Sequence, residues 1–201
     1  MHFIKRNYGW MIVALLALLP FIPLSSILNT AISEGIANKA GENAIGMLYH
    51  ISGEFAIRWM TAVLTCTPFF TLFGVHNLFV RQAMGIATAV WSLLHFIIFI
   101  ISEGFLETFT QFNYIAGFIA VLILIPLFFT SNRKSMKRLK KKWKKLQRFS
   151  YIAIFLSLLH VVLLEKTWLI YAIIVGVGFL IRIPIVKDKL IGFRQKNRIK
   201  P

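Results

Sequence analysis

The sequence predicts an all-α integral membrane protein, a six-helix bundle forming one domain over residues 1–201. Three observations carry this. Hydrophobic residues fill 58% of the chain, charged residues only 15%, and mean hydropathy is +0.73; ordinary soluble chains run at ~45–50% and ~25%. Six apolar segments meet or approach the ~20 residues that a helix needs to cross ~30 Å of hydrocarbon. The 23 Lys and Arg, against 7 Asp and Glu, fall between those segments and at the chain ends. The first observation excludes a soluble globular enzyme, and the third argues against the continuous basic face of a nucleic-acid-binding domain.

The first segment runs from Trp10 to Ile27 behind Lys5 and Arg6. It outlasts the ~7–15 residues of a secretory signal core, and Pro20 and Pro23 kink a packed span readily, so it reads as a span and not as a cleaved signal peptide. Residues 28–55 form the one long connection. The second segment is Ala56 to Gly74, the third Gly85 to Ile101 and the fourth Tyr114 to Thr130. The fifth, Tyr151 to Leu164, is the shortest, and Phe149 and Ser150 extend it inward; the sixth is Trp168 to Ile185. No internal repeat is visible. The single cysteine, Cys66, lies within an apolar run, which leaves no intrachain disulfide and no cysteine metal site to build.

Orientation follows from the excess of Lys and Arg in cytoplasmic loops. Placing the N-terminus, residues 75–84, residues 131–150 and the C-terminal tail on one side collects 20 of the 23 basic residues and a single acid, Asp188. The other side keeps Lys39, Arg58 and Lys166 with Glu34, Glu42, Glu54, Glu103, Glu107 and Glu165. The basic side is read as the cytoplasmic face, and an even number of spans with both termini inside agrees. Between Arg133 and Arg148 ten Lys or Arg are interleaved with Met136, Leu139, Trp143 and Leu146. That spacing predicts a short amphipathic helix lying against anionic lipid headgroups.

Ionisable residues inside a span are costly and therefore mark functional candidates. His95 in the third segment and His160 in the fifth lie on helices that both run outward. At three, seven and ten residues before His95 stand Ser92, Thr88 and Gly85; at the same offsets before His160 stand Ser157, Ala153 and Ser150. These offsets follow the helical period, so each histidine tops a stripe of small residues on one face, and two facing stripes leave a slot. Counted from Ala83 and Phe149, the histidines stand 12 and 11 residues in, ~17 Å deep at ~1.5 Å per residue. Two imidazoles at one level suit a flat cofactor with a central metal, haem, taking His95 and His160 as axial ligands with Ser92 and Ser157 beside them. Trp91, Phe96, Phe99, Tyr151 and Phe155 are candidate aromatic walls. Zinc wants three or four protein ligands and finds no third intramembrane histidine or acid. The competing reading gives each histidine a backbone carbonyl or serine hydroxyl as its only partner.

The remaining candidates have two readings each. His50, near the outer mouth of the second segment, serves a cofactor edge or an outer partner, or is simply solvated; His76 lies in an inner loop and His2 is terminal. Arg58 pairs with a haem propionate or snorkels to the interface.

Several stretches carry a resemblance in order and spacing along nearly the whole chain. They are Leu18-Leu19-Pro20-Phe21, His50-Ile51-Ser52-Gly53, Arg81 through Gly85 to Trp91-Ser92-Leu93-Leu94-His95, and Phe129-Thr130-Ser131-Asn132. The run from Trp143 through Gln147 to Tyr151 and then His160 complete the set. The chain resembles the haem-binding membrane subunits of the bacterial periplasmic methionine sulfoxide reductase system (the MsrQ/YedZ family), within the ferric-reductase-like transmembrane group. The resemblance implies a b-type haem protein that passes electrons outward to a periplasmic molybdopterin enzyme repairing oxidised methionine, with the sulfoxide chemistry left to that partner. It puts His95 and His160 at haem-ligand positions and adds Arg81 to the cofactor-binding candidates.

Gln147 departs from the family pattern, which has a histidine there. It stands 13 residues from His160, as Gln82 does from His95, and that interval spans ~20 Å of helix, about the separation of two stacked haem levels in the superfamily. A glutamine amide is a poor iron ligand, so the expectation is one haem b in the outer half, with the inner site lost or altered. A flavin donor in the cytosol then faces a long apolar gap, which makes a membrane quinol the expected donor. Two alternatives stand beside this one: a stand-alone ferric or quinone-type reductase, and a cofactor-free transporter or assembly factor. A transporter is expected to show broken helices, mid-membrane acids or a repeat, and an assembly factor needs no intramembrane histidines.

Overall fold

A computed structural model describes residues 2–35, 38–73 and 78–198, and their regular structure is helical throughout. The elements are α1 (His2–Leu18), α2 (Phe21–Glu34), α3 (Lys39–Phe73), α4 (Leu78–Glu103), α5 (Phe112–Thr130), α6 (Arg133–Leu139), α7 (Lys141–Gln147), α8 (Ser150–Leu163), α9 (Leu169–Arg182) and α10 (Pro184–Arg198). His76 lies outside the described residues, as do the side chains of His2, Lys5, Arg6, Lys196, Arg198 and Lys200.

Among the described residues four helical stretches are long and apolar enough to cross a membrane: Tyr8–Glu34, Leu78–Glu103, Phe112–Thr130 and Lys141–Leu163. A fifth is reached if Leu169–Arg182 and Pro184–Gln195, bent by 80° where they meet, act together. The chain is thus a multi-pass all-α membrane protein. The count falls short of the predicted six, and the predicted second segment lies within the 35-residue α3, which is not among the four.

Local structure sharpens one expectation and corrects two. The long connection 28–55 is largely helical: α2 runs to Glu34, Gly35 turns the chain with φ 72°, and α3 begins at Lys39. Ala44, Ile45 and Leu48 are buried on one face of the first turns of α3, which gives that stretch a core to pack on. The basic run is two helices and not one, because Lys140 sits in the left-handed half of backbone space at φ 47°. Asn132 caps α6 by accepting from the Ser135 N–H at 2.8 Å, while α7 is tied to the bundle by Trp143 Nε1, which donates to the Thr130 carbonyl at 2.9 Å. The sixth segment ends at Arg182, ahead of Ile185, because Pro184 lacks the N–H that would continue the ladder and starts α10 in a new direction.

Long α3 is the hub, packed along α4 and against α2 and α9, while α5 pairs with α8. Trp91 of α4 is fully buried between Phe21 and Phe55, at ring-centroid distances of 4.8 and 4.7 Å. Its indole donates to the Ala17 carbonyl at 3.2 Å, in the last turn of α1, where Pro20 interrupts the ladder. A second cluster joins Ile57, Met60 and Leu64 of α3 to Leu124, Ile154 and Val175. At its edge Pro68, inside α3, cannot donate to the Leu64 carbonyl; Arg182 of α9 does so instead, at 2.5 Å. The close approach of α9 to α3 falls at Gly178, where a Cβ would stand 3.0 Å from Thr65.

Candidate functional site

His95 sits in the C-terminal half of α4 and His160 near the C-terminal end of α8. Their rings come within 6.5 Å, centroid to centroid, at an interplanar angle of 72°. The helices that carry them start at the same end of the bundle, so equal offsets along two apolar helices become equal heights.

Each imidazole is anchored through Nδ1. His95 Nδ1 lies 3.1 Å from the Tyr49 carbonyl and 3.2 Å from Ser52 Oγ, whose own hydroxyl donates to the same carbonyl at 2.9 Å. His160 Nδ1 lies 2.7 Å from the Asn113 carbonyl. A carbonyl only accepts, so in both rings Nδ1 carries the proton and Nε2 keeps its lone pair. Among the described residues neither Nε2 has a hydrogen-bond partner. That is the arrangement of a metal-ligating histidine, whose other nitrogen donates to a carbonyl and so sets tautomer and ring orientation. The two partners foreseen for a cofactor-free histidine are therefore present, but they occupy the wrong nitrogen to satisfy the ring completely.

Backbone space is cleared for both rings. A Cβ on Gly53 of α3 would stand 2.9 Å from His95 Cε1, and one on Gly117 of α5 would stand 3.1 Å from His160 Nδ1. Tyr49 stacks on His95 at 4.5 Å and 20°. The two histidines line a cavity of about 350 Å³ between α3, α4, α5 and α8, with Phe96, Phe99, Tyr114 and Phe118 among its walls.

Ser92 and Ser157 line this cavity, as does His50. Arg58 does not: it is held by Glu54 at 2.9 Å and lies 3.4 Å from the Tyr171 hydroxyl, which itself donates to Glu54 at 2.9 Å. Arg81 lines a second, smaller cavity of about 90 Å³, toward the start of α4 and α8, together with Gln82, Gln147, Gly85, Thr88 and Ser150. The stripes of small residues therefore serve two chambers, and Met60 and Leu124 line both. In the smaller chamber Gln82 donates to the Ser131 carbonyl at 2.5 Å and Gln147 to Thr130 Oγ1 at 3.3 Å. Of the expected aromatic walls, Trp91 belongs to the core, Phe155 is exposed, and Tyr151 bonds Arg182 at 2.7 Å.

Sequence reasoning missed Tyr49, Gly117 and Lys166, which also lines the large cavity. A lone glycine inside the apolar α5 was the available signal for Gly117; carbonyl anchors such as Tyr49 and Asn113 leave none in side-chain identity.

The donor set fits an iron porphyrin. A metal bound by two Nε2 atoms at ~2.0–2.1 Å each puts ring centroids on the order of 6 Å apart, close to the spacing seen. Among the described residues no group of three or more His, Cys, Asp or Glu is placed to hold a metal ion, so a closed all-protein metal cage is not formed there.

Comparison with known proteins points the same way. Residues 52–158 match the family model described as ferric reductase like transmembrane component. Proteins named protein-methionine-sulfoxide reductase heme-binding subunit MsrQ from Brucella ovis, Brucella canis and Brucella suis are each 29% identical to the chain, over 74% of it and 73% of theirs. No solved structure matches.

Proposed function

The chain belongs to the ferric reductase like transmembrane component family, and from that premise we propose that it is a haem b-binding electron-transfer subunit of a bacterial inner membrane, serving a periplasmic oxidoreductase. The observation that carries this reading is the pair of imidazoles with Nδ1 bonded to carbonyls and Nε2 left to one shared cavity. The name of the Brucella relatives, heme-binding subunit of a protein-methionine-sulfoxide reductase, supports a methionine sulfoxide reductase as the partner, which in this proposal is the molybdopterin enzyme. When bound, haem would supply a one-electron carrier at this site, with His95 and His160 as the residues that would hold it.

The chain's own residues do the rest. His95 and His160 would hold the metal, with tautomers set by Tyr49, Ser52 and Asn113; Ser92 and Ser157 keep the walls narrow; Phe96, Phe99 and Phe118 keep the chamber apolar. One haem is held, in the outer chamber, because the inner chamber is about a quarter the size, 90 against 350 Å³, and offers amides where ligands are needed. The donor is a membrane quinol, since a soluble flavin would meet only that small inner chamber. Arg81 belongs to the inner chamber and not to the haem. The bundle crosses the membrane six times as a single domain, the inner part of α3 supplying the second crossing, and the basic end carrying α6 and α7 faces the cytoplasm against anionic lipid.

A reduced-minus-oxidised spectrum of the purified chain, with haem quantified, tests this. One haem per chain is expected, abolished by either His95→Ala or His160→Ala. No haem refutes the function, two haems refute the single site, and a normal spectrum in either variant removes that residue from it.

A further inference from the structure

The outer rim of the histidine cavity carries two basic side chains, His50 on α3 and Lys166 in the turn between α8 and α9. We propose that Lys166, with His50 as its second, anchors the carboxylates of the porphyrin held by His95 and His160, in place of Arg58; the inference rests on the haem reading above.

The polarity of the cavity sets the direction. Its inner end is closed by Ile57, Met60, Val121 and Leu124, whereas the outer end presents His50, Tyr114 and Lys166. A macrocycle with carboxylates on one edge turns that edge outward, because an ionised carboxylate among apolar side chains without a partner is strongly penalised.

A specific chain path delivers Lys166 to the rim. Past the end of α8, Leu164 N–H donates to the His160 carbonyl at 3.2 Å, Glu165 N–H to Val162 at 3.0 Å and Lys166 N–H to Val161 at 3.3 Å. Glu165 adopts φ 54° to make this reversal, a left-handed conformation that is strained for a residue other than glycine. The reversal folds Lys166 back over the helix that carries His160. Strain held at one residue beside a cavity is the pattern expected where position matters more than stability.

The competing cation is committed elsewhere. Arg58 is ion-paired to Glu54 at 2.9 Å and stays outside the cavity lining. Glu54 does line the cavity, and both Arg58 and the Tyr171 hydroxyl contact its Oε2 at 2.9 Å. That pairing offsets the repulsion a bare carboxylate would exert on the porphyrin's own.

Apo-protein in detergent, titrated with haem and with haem dimethyl ester, separates the roles, since the ester has no carboxylates to anchor. Lys166→Met is expected to weaken haem binding about ten-fold to a hundred-fold, the range of a hydrogen bond to a charged group. It should bind the dimethyl ester as wild type does, and Lys166→Arg should keep wild-type affinity for both. Haem binding unchanged in Lys166→Met overturns the proposal. An equal loss for haem and ester also overturns it, because Lys166 would then act on the fold. Failure of wild type to bind either ligand overturns the haem reading itself.

Discussion

Substituting Gly53 by alanine inserts a methyl group 2.9 Å from Cε1 of His95 and 3.2 Å from its Nδ1. Carbon atoms in contact settle at ~3.5–4.0 Å, so the ring has to retreat by roughly 0.6–1 Å. It has little freedom to do so: Nδ1 is already 3.1 Å from the Tyr49 carbonyl and the ring face is stacked on Tyr49. Retreat breaks that hydrogen bond, at about 1 kcal/mol, while alanine in place of glycine inside α3 returns about 1 kcal/mol of helix propensity. Stability of the bundle should therefore change by less than ~1 kcal/mol. Haem binding should not be spared, because ligand geometry tolerates only ~0.5 Å of error; a ten-fold loss of affinity or more is expected. Gly117→Ala acts on His160 in the same direction but less severely, with its Cβ at 3.1 and 3.2 Å from the ring. Haem per chain from absorbance, read beside thermal unfolding of the same samples in detergent, measures both effects. A Gly53→Ala chain with wild-type haem content and spectrum would refute the cradle, and so would a Gly117→Ala variant more damaged than Gly53→Ala.

Arg182→Met leaves the Leu64 carbonyl and the Tyr151 hydroxyl without their partner and should lower stability by about 1–3 kcal/mol. The loss should shrink when Pro68→Ala restores an N–H to the Leu64 carbonyl, and unfolding of the two variants in detergent would expose a pairing that contributes nothing. Gln147→His should leave haem at one per chain, because Gln82 stays on the Ser131 carbonyl and the chamber stays near 90 Å³; a second haem signal in the spectrum contradicts this. Glu165→Gly removes the left-handed strain at φ 54° and should leave stability unchanged or raise it by up to ~1 kcal/mol, whereas Glu165→Val should lower it. Thermal unfolding decides the sign.

Much of the site could be reached along the chain because its logic is helical. Ser92 and Ser157 each precede a histidine by one turn, and two helices starting at the same end of a bundle convert equal offsets into equal heights. Pro20 announced the break between α1 and α2 for an equally local reason, the missing N–H. Other features lie between elements and leave no such trace. Arg58 looked like a partner for a cofactor because of its depth, yet the side chain is claimed by Glu54 one turn earlier and by Tyr171, far away in sequence. Trp91 stands one helical turn before His95 and looked like a wall, but Phe21 and Phe55 from neighbouring helices close over its indole and make it part of the core.

Hydropathy and charge distribution alone determined that this is an all-α, multi-pass membrane protein with a strongly basic end, since both follow from which residues the lipid and the water accept. Helical periodicity alone set His95 and His160 above stripes of small residues. Only the tertiary structure decided which imidazole nitrogen keeps its lone pair, which of two chambers is large, and which basic residue reaches the rim. Those outcomes depend on where a carbonyl, a missing Cβ or a turned loop on one helix falls against another. Spacings between helices are set by packing across the bundle, and no pattern along a single strand of sequence encodes them.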